Sequence, residues 1–190
     1  MNKLPNFDIK PNGEISKEFL KRNILTFHQA TEYIQNLPYG RNSNKDNLKT
    51  IFTDNKGTCS TKHAVLKQLA DENDFESIKL ILGIFKMNAR NTPKISKTLA
   101  KNSLDYIPEA HNYLKYGTEI FDFTKRNFSI SDFSNDLIYE TEIQPSKINQ
   151  PKIEIHKSFL ADWLNKNPKI DYSIEELWKI REQCIQDLSE

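Results

Sequence analysis

The sequence predicts an α+β fold. Amphipathic helical stretches come first and last, and short apolar or alternating runs with turn residues at their joints lie between them. Helices grouped at the two ends around a mostly antiparallel sheet is an α+β order rather than an alternating α/β one. The chain has 190 residues, 37% of them hydrophobic and 28% charged, which suits one soluble domain spanning 1–190 with a real core.

Residues before Ile15 read as an extended arm punctuated by Pro5, Pro11 and Gly13. One helix is predicted from about Ser16, a plausible N-cap, to Leu37. Leu20, Ile24, Phe27, Ala30, Ile34 and Leu37 make its apolar stripe, and Pro38 ends it. A helical turn is expected over Asp46 to Phe52. A second helix runs from Cys59 to about Asn73, with Thr58 as N-cap. Ile78 to Met87 is apolar and β-branched, so it reads as a buried strand, with Gly83 marking a close approach or bulge. A short helix is expected around Ile95 to Leu104. Ala110–Tyr116 and Thr118–Thr124 read as two strands joined tightly at Gly117. Ile138–Ile143 and Ile153–His156 are further strand candidates. Helices follow over Lys157–Asn165 and Ser173–Leu188, the latter opening with the capping-box pair Ser173 and Glu176.

Composition excludes several function classes. Five glycines include no G-x-G-x-x-G and no G-x-x-x-x-G-K-[ST], so the common phosphate-cradling loops are absent. Lys+Arg is 27 and Asp+Glu is 26, a net charge of +1, which makes no electrostatic case for nucleic acid or anionic membrane. No apolar run approaches the roughly 18 residues that span a bilayer, and no signal peptide is visible. Two cysteines build neither a disulfide framework nor a four-cysteine zinc site, so a cytoplasmic protein with reduced thiols, no metal and no cofactor is the expectation.

In that setting Cys59 is read for reactivity. A thiol of pKa about 8.5 becomes a better nucleophile at a helix N-terminus, where backbone N–H groups and the helix dipole favour negative charge. Gly57 allows close approach beside it. A thiolate needs a base, and the base needs an orienting group. His111 begins a predicted strand. If Tyr116-Gly117 is a two-residue loop, Lys115 faces Thr118 and His111 faces Asp122; a three-residue loop would shift the register by one. Asp122 interrupts an apolar strand and needs a partner, either His111 or a lysine. His63, four residues after Cys59, can face the thiol, although a solvated or core role is the plainer reading. Cys184 lies on the apolar face of the last helix, and His28 and His156 carry no signal beyond their type.

Gly57-Thr58-Cys59, the following helix, the apolar strand with Gly83, His111-Asn112-Tyr113 and Asp122-Phe123-Thr124 together resemble the transglutaminase-like domain of the papain-like cysteine-peptidase fold. Tyr113 stands where that family often has tryptophan, and Asn88 to Glu109 is a long insertion. The resemblance covers roughly Lys56 to Lys125. It implies a papain-like core over about 16–130, with N-terminal helices on the sheet, and a C-terminal helical extension over about 131–190. It also implies Cys59 as nucleophile, His111 as base and Asp122 as orienting carboxylate. Tyr39, Asn42 and Asn44 lie in the loop where a second oxyanion donor is expected. The implied activity is that of a hydrolase or acyltransferase acting on a peptide, protein or small amide or ester through a thioester. The rival expectation is a binding module that keeps the fold without turnover.

Overall fold

The computed structural model describes residues 4–126 and 129–188. Met1–Lys3 of the expected arm lie outside them. The α+β class is observed: helices accompany a four-stranded antiparallel sheet.

The single long helix expected first is two helices. α1 spans Glu14–Leu20 and α2 spans Phe27–Asn36. The break is local. Asn23 adopts φ 57°, and the N–H groups of Asn23 and Ile24 turn back to Leu20 O (3.0 Å) and Phe19 O (3.2 Å), a Schellman ending. Thr26 then caps α2 in a reciprocal capping box with Gln29. Ser16 therefore sits inside α1, and its N–H and hydroxyl bind Glu72 at 2.7 Å each.

α3 is a single turn, Thr50–Thr53. α4 spans Cys59–Glu72 with Thr58 as N-cap, as expected, and β1 spans Ile78–Asn88. After α5, Ser96–Lys101, come β2, Tyr106–Tyr116, and β3, Glu119–Phe121. The register differs from the expected one. Tyr116 pairs with Glu119, Lys115 with Ile120 and Leu114 with Phe121, so the loop is Gly117-Thr118. Gly117 takes φ 58°, which a glycine adopts without the cost Tyr116 would incur. α6, Ser131–Ser134, precedes β4, Leu137–Glu142. The strand expected at Ile153–His156 is instead part of α7, Gln150–Lys166, in which His156, Leu160 and Trp163 are buried at helical spacing. α8 spans Ile174–Asp187 behind the Ser173–Glu176 capping box. The strand order is β3–β2–β1–β4. Among the described residues no helix is long and apolar enough to cross a membrane.

The chain divides into two compact units, 1–82 with 111–130 and 141–149, and 83–110 with 131–140 and 150–190. The second unit thus joins 83–110 to the C-terminal residues. In the first unit Phe19, Phe27, Ile34, Ile51, Leu66 and Leu69 are fully buried. The N-terminal arm belongs to that core, because Phe7 stacks between Phe27 and Phe75, at 4.7 and 3.9 Å between ring centres. In the second unit, half-buried Arg181 grips the buried Glu109 bidentately at 2.7 and 2.5 Å and lies over the Trp178 ring. His156 donates to Pro108 O at 2.9 Å.

Candidate active site

The residues of interest all belong to the first unit. The site begins with a helix start. The Thr58 hydroxyl accepts from the Thr61 N–H, and the Thr61 hydroxyl accepts from the Thr58 N–H at 2.9 Å. This capping box fixes where α4 begins and so places Cys59 as its first residue. Little room is left for a side chain at Gly57, just before it. A Cβ there would stand 3.0 Å from Ile51 Cδ1, 3.0 Å from Thr61 Oγ1 and 3.1 Å from Lys62 Cγ. Gly57 also bridges the loop after α2: its N–H binds Pro38 O at 3.0 Å, and Gly40 N–H binds its carbonyl at 3.2 Å.

His111 and Asp122 meet across the β2–β3 hairpin. His111 Nε2 lies 2.6 Å from Asp122 Oδ2. The His111 side chain also hydrogen-bonds the Cys59 thiol. With Nε2 given to Asp122, Nδ1 is the nitrogen left for sulfur. Burial works against charge on this ring, but Asp122 and then Cys59 outweigh it and push its pKa up to about 10. The Asp122 side chain is 1% exposed. Burial works against its charge too, yet His111 holds it well below the usual carboxylate range. Its other oxygen accepts the Thr124 N–H at 2.7 Å. Thiol, imidazole and carboxylate thus stand in series, able to move a proton from sulfur to ring while the carboxylate supports the ring's charge.

Around this line the structure places polar residues that the sequence reading did not assign. His63 is fully buried, which agrees with the core alternative. Its Nδ1 donates to Cys59 O at 2.8 Å, and its Nε2 accepts the Phe123 N–H at 2.8 Å. Accepting an amide proton fixes the neutral tautomer, and burial holds its pKa down to about 4. It braces the first turn of α4 against the residue that follows Asp122. Asn112 accepts from the Ser60 hydroxyl at 3.0 Å and donates to Ile81 O at 3.0 Å, tying α4 to β2 and β1. Tyr113 is fully buried, with its ring 6.2 Å from that of His111. The signal for Asn112 and Tyr113 was their place beside His111 in a strand; for His63 it was the i,i+4 spacing from Cys59.

The upstream asparagines hold the loop. Asn42 donates to Lys56 O at 2.8 Å and accepts from the Thr61 hydroxyl at 2.7 Å, so its amide serves the helix start from behind. Asn44 lies on an exposed turn, where its side chain accepts the Asp46 N–H at 2.9 Å. Cys184 is a buried free thiol whose pKa burial pushes up to about 12, the opposite of an activated one. His28 Nε2 lies 2.9 Å from Leu4 O on the N-terminal arm. Among the described residues no three His, Cys, Asp or Glu side chains group as a metal site. A groove of about 570 Å³ is lined by Leu37, Tyr39, Thr124, Lys125 and Arg126.

Comparisons of the chain with models of protein families, with curated proteins and with solved structures return no match. What the site can do is therefore read from its own geometry.

Proposed function

We propose that the protein is a transglutaminase-like cysteine hydrolase or acyltransferase, papain-like in the plan of its core, acting on an amide or ester of a peptide, protein or small molecule. The observation that carries this reading is one imidazole, that of His111, shared between the Cys59 thiol and the Asp122 carboxylate. The order nucleophile at a helix start, base on a strand, carboxylate just past the next strand supports it.

In the proposed reaction the Cys59 proton rests on His111, as a thiolate–imidazolium pair. The sulfur attacks the substrate carbonyl, forming a C–S bond and an oxyanion. The N-terminus of α4 favours that negative charge. The oxyanion collapses, the C–N or C–O bond breaks, and His111 gives its proton to the departing nitrogen or oxygen. A thioester remains on Cys59. Water, deprotonated by His111, releases the acid and restores the thiol; an amine in place of water makes the reaction a transfer. A cytoplasmic setting is part of the reading, because it keeps such a thiol reduced.

Iodoacetamide labelling followed by peptide mass analysis tests this directly. Cys59 should be modified at neutral pH faster than free cysteine while Cys184 is spared, and His111→Ala should slow it. A p-nitrophenyl ester should release a burst of one nitrophenolate per chain that Cys59→Ser abolishes. If Cys59 reacts no faster than free cysteine and no burst appears, the fold is a binding module instead.

A further inference from the structure

A second buried cation lies within the first unit. Lys62 sits one turn into α4 and is fully buried. Its ammonium donates to Leu37 O at 2.6 Å, to Thr124 O at 2.8 Å and to Gln35 O at 3.4 Å. Three carbonyls match the three hydrogens of an ammonium, whereas a neutral amine would turn a lone pair toward one of them. Two of these carbonyls, from Gln35 and Leu37, close the C-terminal end of α2, where a helix favours a cation. The third lies two residues beyond Asp122. Packing alone would be served by a methionine of similar length, and burying an ammonium costs free energy unless something nearby is negative. Asp122 and, more weakly, Cys59 act on it as negative charges and Lys125 as a like charge, while buried His63, the next residue of α4, is kept neutral in part by the Lys62 charge.

We propose that Lys62 is a positioning residue of this centre: its ammonium locks the nucleophile helix to the end of α2 and to the segment after Asp122, and supplies the fixed positive charge that favours the Cys59 thiolate. The proposal rests on the Cys59–His111–Asp122 reading. It also makes the centre titrate at a third group. Burial lowers the Lys62 pKa to about 8, against the support of Asp122 and Cys59. Above that pH the ammonium loses one donor and its charge, so the clamp loosens and the thiolate loses support.

The test is the pH profile of Cys59 alkylation by iodoacetamide, measured from pH 5 to 10 on the full chain and assigned to Cys59 by mass. Wild type should show an inflection near pH 8. Lys62→Met, checked for native circular dichroism, should lack that inflection and react about tenfold more slowly at pH 6.5, the effect of one unit of thiol pKa. Lys62→Arg keeps a charge that does not titrate in this range, so it should restore the rate at pH 6.5 without the inflection. A folded Lys62→Met with the wild-type profile overturns the proposal. If that variant does not fold, a wild-type profile with no inflection near pH 8 overturns it. Failure of the triad reading looks different, because wild-type Cys59 would then react no faster than free cysteine at any pH.

Discussion

His111 and Asp122 touch at 2.6 Å although they are not opposite each other in the hairpin. The ladder pairs Leu114 with Phe121, and one more step would set Tyr113 against Asp122. His111 is two residues from that position, so it shares the face and reaches Asp122 diagonally. A shift of two preserves the face, whereas a shift of one would have put the imidazole and the carboxylate on opposite sides of the sheet. Glycine at 117 makes this possible by taking the left-handed position of the loop itself.

The carboxylate should decide the tautomer of that ring. Asp122→Asn keeps the shape and the Thr124 N–H contact but presents an amide N–H to His111 Nε2. The ring must then carry its proton on Nδ1, toward sulfur, where it cannot act as base. We expect ester turnover to fall roughly 10³- to 10⁴-fold. Circular dichroism should stay native, and a variant retaining a tenth of wild-type turnover would contradict the assignment.

The two histidines should shape stability in opposite windows. Folded His63 titrates near 4 against an ordinary 6.5, so between those values the unfolded chain binds the extra proton and stability falls as the pH drops. Folded His111 titrates near 10, so between 6.5 and 10 the folded chain holds the extra proton and stability falls as the pH rises. Above about 8 Lys62 works against this loss, since its folded form releases its proton first. Asp122, held low, adds a further loss at still lower pH. The urea midpoint should therefore peak near pH 6.5, fall toward pH 8 and level off above it. A midpoint that climbs steadily from pH 8 to pH 4 would show that these groups do not control it.

Gly57 should tolerate no side chain without cost. In Gly57→Ala the new methyl meets Ile51 Cδ1 and Thr61 Oγ1 at 3.0 Å and Lys62 Cγ at 3.1 Å, so three side chains around the helix start must give. Overpacking of this kind costs about 1–3 kcal/mol, readable as a lower urea midpoint. Because Thr61 and Lys62 both move, Cys59 alkylation at neutral pH should slow as well. An unchanged midpoint would mean that the loop from Pro38 to Gly57 shifts freely.

Several features were legible because their causes are local. The starts of α4 and α8 follow from hydrogen bonds spanning three residues, Thr58 with Thr61 and Ser173 with Glu176. The same kind of signal was present at Thr26 and Gln29, but the hydrophobic period ran through it and masked the break at Asn23. Ile153–His156 alternates like a strand over four residues; only the burial of Leu160 and Trp163 further on shows the helical period, because a short apolar run carries both.

The sequence by itself determined the α+β class, the placement of Cys59 at the head of a helix, and a hairpin turning at Gly117. Only the tertiary structure decided the surroundings of that cysteine. His63 reaches Phe123, Asn112 reaches Ile81, and Lys62 reaches Leu37 and Thr124. In each case the partner is a backbone group more than twenty residues away. Every residue offers the same N–H and C=O, so no side-chain pattern marks which of them a buried polar group will find. That choice is made when the helix and the strands pack, and a buried polar group left without such a partner would oppose the packing.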